Sequence, residues 1–222
     1  MEWLLSDLFP VALGATLAPI YPIIVLLLLQ GKGGPSAAIA FVSGAVGVRL
    51  AQGVLLGMIL EIGRAEGGRG PVASAFLLVL GLLLLVSAFR KWQKEEDPDA
   101  PSPRWMTMLD GLSGFRAVGA GAVLVLVAVK QWVFTIGAIL TIGEFGSGGT
   151  TNTLTYLGFV LFTQIFVLPP IAAYLVAPKQ AARLLGAARA WLERHNSTIL
   201  IAVSTIFGVW FFAKGVLGLL GR

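Results

Sequence analysis

Cysteine is absent from the 222-residue chain, which excludes disulfides and thiolate chemistry. Histidine occurs once, as His195, and no carboxylate falls in the middle of an apolar run. Nothing convincing for a metal site can be assembled from such a set, and no cofactor is expected. Gly146-Ser147-Gly148-Gly149 is followed by no Gly-Lys-Ser/Thr phosphate cradle. No nucleophile, base and orienting group come together in the pattern, so the chain reads as a non-enzyme. Charge is scarce as well: 12% of residues are charged, against roughly 25% in a soluble domain. Hydrophobic residues reach 57% and the mean hydropathy is +0.88. A soluble fold needs a polar exterior that this composition cannot supply, whereas a bilayer removes the need. The net charge of +5 does not point to nucleic acid, because the basic residues lie in loops beside apolar runs. There they set membrane orientation.

What is present is a series of apolar runs of about 20 residues or more, the length that crosses the hydrocarbon as a helix. Six qualify, at roughly 3–30, 36–62, 71–90, 117–142, 151–177 and 197–220. Met1 to Pro10 carries Glu2 and Asp7 and no basic residue, unlike a signal peptide, and the first run is read as a retained span. Between 179 and 195, Lys179, Arg183, Arg189 and Arg194 alternate with Ala182, Leu185, Ala188, Trp191 and Leu192. That pattern predicts a short interfacial helix, after which Asn196 or Ser197 caps the sixth span.

Alternate loops differ in basic content. One side holds Lys32, then Arg90, Lys91, Lys94, Arg104 and Arg116, then the basic residues of 179–195. The other holds Arg64, Arg69, Lys214 and Arg222. The richer side is cytoplasmic, so a multi-pass protein of the plasma membrane with both termini outside is expected. Three spans precede the polar linker 91–116 and three follow it. The expected fold is therefore an all-α integral membrane protein of six transmembrane helices. Its two inverted three-helix repeats occupy 1–90 and 117–222, the second including the interfacial helix 179–195. Gly81-Leu-Leu-Leu-Leu85 in the third span is echoed by Gly208-Val-Trp-Phe-Phe212 in the sixth.

Ionisable groups deep in a span are costly and point to function. Arg49 lies near the middle of the second run and Lys130 near the middle of the fourth. The nearest acids, Asp7, Glu61, Asp110 and Glu144, fall near span ends. The two cations are read as attracting an anionic group; the bland reading is that they bond to helix carbonyls and fix packing. Gln52 shares a helix face with Arg49, Gln131 adjoins Lys130, and Thr163 and Gln164 sit midway along the fifth run. Singly these are interhelical glue; at one depth they suggest a wet cavity. In the first run, Thr16, Pro19, Tyr21 and Pro22 surround a predicted break, whose resumed half-helix would turn a positive dipole end towards an anion. Pro169-Pro170 reads as a kink and gate hinge. His195 reads as a surface residue, Glu95-Glu96-Asp97 as a solvated charge run, and Lys214 as a residue that snorkels.

The first run, Leu13-Gly-Ala-Thr-Leu-Ala-Pro-Ile-Tyr-Pro-Ile-Ile-Val-Leu-Leu-Leu-Leu29, followed by Ala38-Ile-Ala-Phe-Val-Ser-Gly44, resembles the GAP (Sap, sulfolipid-addressing) family. Ala172-Ala-Tyr-Leu-Val176, Arg189-Ala-Trp-Leu-Glu-Arg-His-Asn196 and Gly208 to Gly215 extend the resemblance over nearly the whole chain. It implies the lysine-exporter (LysE) superfamily, six helices in two inverted repeats, and export of small solutes or lipid-linked molecules. Relatives typically carry an Asn-Pro-Lys-like motif in the fourth helix. Here Ala128-Val-Lys-Gln131 keeps the lysine and lacks Asn-Pro, which leaves the geometry of that helix open. Metal-exporting branches use intramembrane acids that this chain lacks, which favours an anion or acidic lipid over a divalent cation.

The expected function is therefore an exporter that moves a small anionic or lipid-like substrate through a basic midplane cavity. Its partners are membrane lipids, that substrate and, as an option, a second copy in a homodimer. The rivals are a non-transporting scaffold for lipid export, an intramembrane lipid enzyme, and an amino-acid or cation exporter. Two midplane positive charges disfavour the last by repulsion.

Overall fold

Residues 4–65, 70–93, 111–112, 114–145 and 149–220 are described in the computed structural model. Every element among them is helical. A π-helical turn, Leu4–Leu8, leads into α1 (Phe9–Thr16), followed by α2 (Ile20–Gln30), α3 (Gly34–Ala65) and α4 (Gly70–Trp92). After the linker come α5 (Gly114–Val127), α6 (Val129–Phe145), α7 (Gly149–Phe162), α8 (Leu168–Val176) and α9 (Pro178–Leu219). Most of the linker lies outside the described residues, with Lys94, Glu95-Glu96-Asp97, Arg104 and Asp110. So do Glu2, Arg69, Gly146 to Gly148, Arg222 and the side chains of Glu61 and Arg64.

Among the described residues, three helices are long and apolar enough to cross a membrane: Gly34–Met58, Ser74–Trp92 and Pro178–Leu219. The pairs α1–α2 and α5–α6 qualify as bent spans, which brings the number to five. The chain is thus an all-helical, multi-pass type of membrane protein.

The first expected break is present: α1 and α2 meet at 43° across Leu17-Ala18-Pro19. Only Pro19 acts at the break. Pro22 sits in the first turn of α2, where a missing N–H costs nothing. The fourth run, expected as one helix over 117–142, is bent by 73° between α5 and α6. No proline stands there. Hydrogen bonds cross the bend instead: Trp132 Nε1 donates to the Leu126 carbonyl (2.9 Å), and the Gln131 and Trp132 amides both donate to the Ala128 carbonyl (2.8 and 3.4 Å). The fifth run is also divided. Thr163 and Gln164 do not sit midway along a regular helix but in the turns between α7 and α8. Pro169 and Pro170 lack the amides that would continue α7's ladder and instead start α8. The separate interfacial helix over 179–195 is not found. α9 runs unbroken for 42 residues through Asn196 and Ser197, neither of which is a cap. No proline follows Pro178, and the glycines are tolerated inside the helix.

These breaks divide the interior into two apolar cores. One joins Tyr21, Ile24 and Leu28 of α2 to Phe41 of α3, Val125 of α5, Ile171 of α8 and Leu185 of α9. The other joins Val11 and Ala15 of α1 to Leu84 of α4, Phe134 of α6, Phe159 of α7 and Phe207 and Phe211 of α9. Each of the three breaks passes from one core to the other.

Glycines allow the closest helix contacts. A Cβ on Gly121 of α5 would strike the Phe41 carbonyl of α3, and one on Gly44 of α3 would strike the Val118 carbonyl of α5. Backbone cannot swing aside as a side chain can. Gly121→Val should therefore cost about 1–3 kcal/mol by overpacking, read as a lower thermal transition of the purified protein. An unchanged transition would refute this contact.

Candidate functional site

Membrane helices can keep polar groups inside only where protein or water satisfies them. Apart from Thr141 of α6, the buried polar side chains lie on the elements that meet in the seam between the two cores. Thr16 stands at the end of α1, Arg49 and Gln52 in α3, Gln131 and Thr135 in α6, Thr163 and Gln164 between α7 and α8, and Ser204 in α9. The bent or divided helices bring their irregular backbone to this level.

Arg49 is the centre of the seam and is 2% exposed. Its Nη2 donates to Gln131 Oε1 at 2.7 Å, and Gln131 Nε2 reaches the Ala15 carbonyl at 3.4 Å. These two bonds tie the bend of α5–α6 to the break of α1–α2 through α3. The guanidinium carbon lies 5.5 Å from the centre of the Tyr21 ring, in cation–π range. Tyr156 of α7 donates its hydroxyl to the Arg49 carbonyl at 2.6 Å. Arg49 Nε and Nη1, both polar atoms of Gln52, the Tyr21 hydroxyl and the Thr135 hydroxyl are buried without a hydrogen-bond partner. Neither ion pair among the described residues, Arg189–Glu193 (2.8 Å) and Lys214–Asp7, involves Arg49 or Lys130.

The sequence-predicted residues are thus only partly gathered. Arg49, Gln52, Gln131, Tyr21 and Thr16 belong to this cluster or abut it. Thr163 and Gln164 bond to one another at 2.8 Å and to the Val160 carbonyl, closing their own turn. Lys130 points elsewhere. Its Nζ donates to Ser204 Oγ at 2.7 Å, and Ser204 in turn donates to the Leu200 carbonyl at 2.6 Å. Lys91, at the end of α4, is within electrostatic reach of Lys130. Adjacent helical residues project about 100° apart, which separates Lys130 from Gln131. Pro19 and Pro22 line an apolar cavity of about 690 Å3, with Leu17, Phe166, Leu185 and Trp191 among its walls. A smaller groove of about 270 Å3 lies between α3, α6 and α7, with Tyr156 among its walls.

Sequence reading missed Tyr156, Thr135 and Ser204. Thr135 lies one turn after Gln131 on the same face, a spacing that marks it. Ser204 is a polar interruption of the run Ile199 to Phe212. Tyr156 had no local mark, since its role depends on a neighbour in another helix. Tyr156→Phe removes a single hydroxyl and should cost about 0.5–1.5 kcal/mol, measured by thermal unfolding; no change would mean the bond to Arg49 contributes nothing.

Lys214 is not a simple snorkelling residue. It pairs with Asp7 and sits 4.9 Å from the Trp210 ring centre. Two charged side chains at one depth are better paired than alone.

A family model described as Sap, sulfolipid-1-addressing protein matches residues 8–217, a stretch that includes every seam residue. No curated protein and no solved structure matches the chain.

Proposed function

Since this chain belongs to the Sap, sulfolipid-1-addressing protein family, we propose that it is an exporter whose cargo carries an acidic group bound at Arg49. One observation carries the proposal: Nε and Nη1 of the buried guanidinium, and both polar atoms of Gln52 one turn further along α3, have no hydrogen-bond partner within the protein. A buried cation without a counter-charge is costly. A ligand acid would supply the counter-charge and the missing acceptors together. The groove lined in part by Tyr156 and the cavity at Pro19 open between different sets of helices; alternating access would have them open to opposite sides of the membrane.

The proposed plan has six spans in two inverted three-helix repeats, the LysE-superfamily arrangement, in the cell membrane with both termini outside. Asp7 and Lys214 meet at one end of the bundle, which calls for an even number of crossings. With five candidate spans, α7–α8 is the sixth. A bent pair opens each half. Gly81 of α4 would meet Phe212 and Gly208 of α9, while Gly208 would meet Leu85. The echoed segments therefore pack reciprocally on each other, as repeats related by a two-fold axis do.

Lys130 acts as a second, separate cation that ties the α5–α6 bend to α9 through Ser204. Thermal stabilisation of the purified protein by methanesulfonate or phosphate, compared with choline at equal ionic strength, tests the anion site. Anions should stabilise the parent and lose that effect in Arg49→Gln. Equal stabilisation by choline would reject the reading. Lys130→Ala should reduce transport at least tenfold while keeping anion stabilisation. Full transport would remove Lys130 from the mechanism.

A further inference from the structure

The groove of about 270 Å3 follows three helices. Gly57 of α3, Gly143 of α6 and Gly149 of α7 line it near the end of α6 and the start of α7; Gly53, Ile139 and Tyr156 line it one to two turns further in. The same helix faces continue beyond it. Gln131, Thr135 and Ile139 recur every four residues on α6, as do Arg49, Gly53 and Gly57 on α3, and each set shares a face. Arg49 Nη2 is bonded to Gln131, so that bonded pair and the groove are two ends of one column. At the level between them stand Thr135 and Gln52, 1% and 2% exposed, with every polar side-chain atom unbonded. Buried polar atoms are ordinarily bonded. Tyr156 stands across this column. A Cβ on Gly53 would strike the Tyr156 ring, so the ring rests where only glycine leaves room. Its hydroxyl donates to the Arg49 carbonyl at 2.6 Å, one turn further in.

We propose that Tyr156 is the gate between Arg49 and this groove, and that the acidic group of the cargo passes it along Gln52 and Thr135. The inference rests on the anion reading of Arg49 and adds a route and the side chain that controls it. The contact has the chemistry of a reversible latch. One hydrogen bond holds the phenol to α3, and a change of side-chain rotamer carries the ring off Gly53 without moving a helix. An anion at Gln52 and Thr135 offers the hydroxyl a charged acceptor, which bonds more strongly than the carbonyl it leaves. The cargo therefore draws the latch, and the phenol returns to Gly53 when the cargo has gone. The unbonded amide of Gln52 and hydroxyl of Thr135 supply donors along the way.

Because the chain has no cysteine, a single introduced thiol is an unambiguous reporter. Gly57→Cys, where a Cβ meets nothing within 4 Å, reports on the groove. Thr135→Cys reports on the far side of Tyr156. The full-length protein is reconstituted in vesicles and treated with membrane-impermeant methanethiosulfonates of either charge, the sulfonatoethyl and the trimethylammonioethyl reagent. Gly57→Cys should react in the fraction of molecules whose groove faces the reagent. In that fraction Thr135→Cys should be protected, and adding Tyr156→Ala should speed its reaction by about tenfold or more. Tyr156→Phe keeps the ring and loses the hydrogen bond, and should speed it about two- to tenfold. If Tyr156→Ala fails to fold, the Tyr156→Phe result decides. Thr135→Cys that reacts no faster in a folded Tyr156→Ala protein overturns the gate. So does Thr135→Cys that already reacts as fast as Gly57→Cys with Tyr156 in place. Reagent charge tests the anion reading separately. The anionic reagent should react faster with the opened Thr135→Cys protein, and Arg49→Gln should erase that preference. Opening without any charge preference leaves the gate standing and removes the anion site at Arg49.

Discussion

Arg49→Gln should abolish export and leave the protein at least as stable as its parent. Few substitutions separate the two so cleanly. A basic residue near the bilayer centre costs about 2.5–3.5 kcal/mol even on the gentlest scale, and no carboxylate compensates Arg49 among the described residues. Removing the charge therefore relieves a cost. The glutamine amide stands at the level of Arg49 Nε, two bonds short of the Nη2 that reaches Gln131, so the loosened tie between α3 and α6 offsets only part of that relief. Transport fares differently. Hydrogen bonds to charged groups are worth about 1.5–3 kcal/mol each. Losing two of them, from Nε and Nη1, corresponds to roughly a 100-fold loss or more. Arg49→Lys restores charge but not the planar fork and should recover only part of the rate. Parallel measurements of thermal transition and flux check this. A destabilised Arg49→Gln protein would mean that Arg49 serves packing, and full flux would mean that it serves nothing in transport.

Gly81→Leu should prevent correct assembly, the largest structural effect expected of any single change here. A Cβ at Gly81 would lie 2.5 Å from the Phe212 amide nitrogen and 2.8 Å from the Gly208 carbonyl oxygen of α9. Both are backbone atoms, so the helices themselves would have to separate. In a membrane, helix association depends on close packing and not on hydrophobic expulsion. The same interface continues to Gly215, where a Cβ would come 2.5 Å from the Leu78 nitrogen. Overpacking typically costs 1–3 kcal/mol, and a bulky side chain against two backbones belongs at or above the upper end. Size-exclusion profiles of detergent-solubilised protein should lose the monodisperse peak. Gly208→Leu should do the same if the echoed segments are equivalent. A monodisperse Gly81→Leu protein would place the α4–α9 contact elsewhere.

Much of this arrangement could be read from the residues. Composition alone placed the helices in a membrane, and Pro19 marked the break between α1 and α2. Arg49 and Gln52 shared a face by their three-residue spacing, and Gln131 joined them in the seam. The rest depended on contacts that no local pattern carries. The 73° bend at Ala128 has valines on both sides and no breaker. It is accompanied by Trp132, which returns its indole N–H to the Leu126 carbonyl, and by Gln131's bonds to Arg49 and Ala15. By depth Lys130 is a natural companion of Arg49, but depth says nothing of direction around a helix. One residue of rotation sends it to Ser204. The amphipathic stretch at 179–195 and the apolar stretch after it share the helical period. Without a proline between them they form one helix, where a sequence reading placed two.

The most direct test is flux by the purified chain alone in vesicles. A fluorescent acidic amphiphile would be loaded on one side and its appearance on the other followed by a membrane-impermeant quencher. The account predicts movement with the parent protein, near-background movement with Arg49→Gln of undiminished stability, and no comparable movement of a zwitterionic analogue. Equal movement with and without Arg49, or none by a well-folded parent, would contradict the claim that a buried arginine in a seam of broken helices carries an acidic cargo.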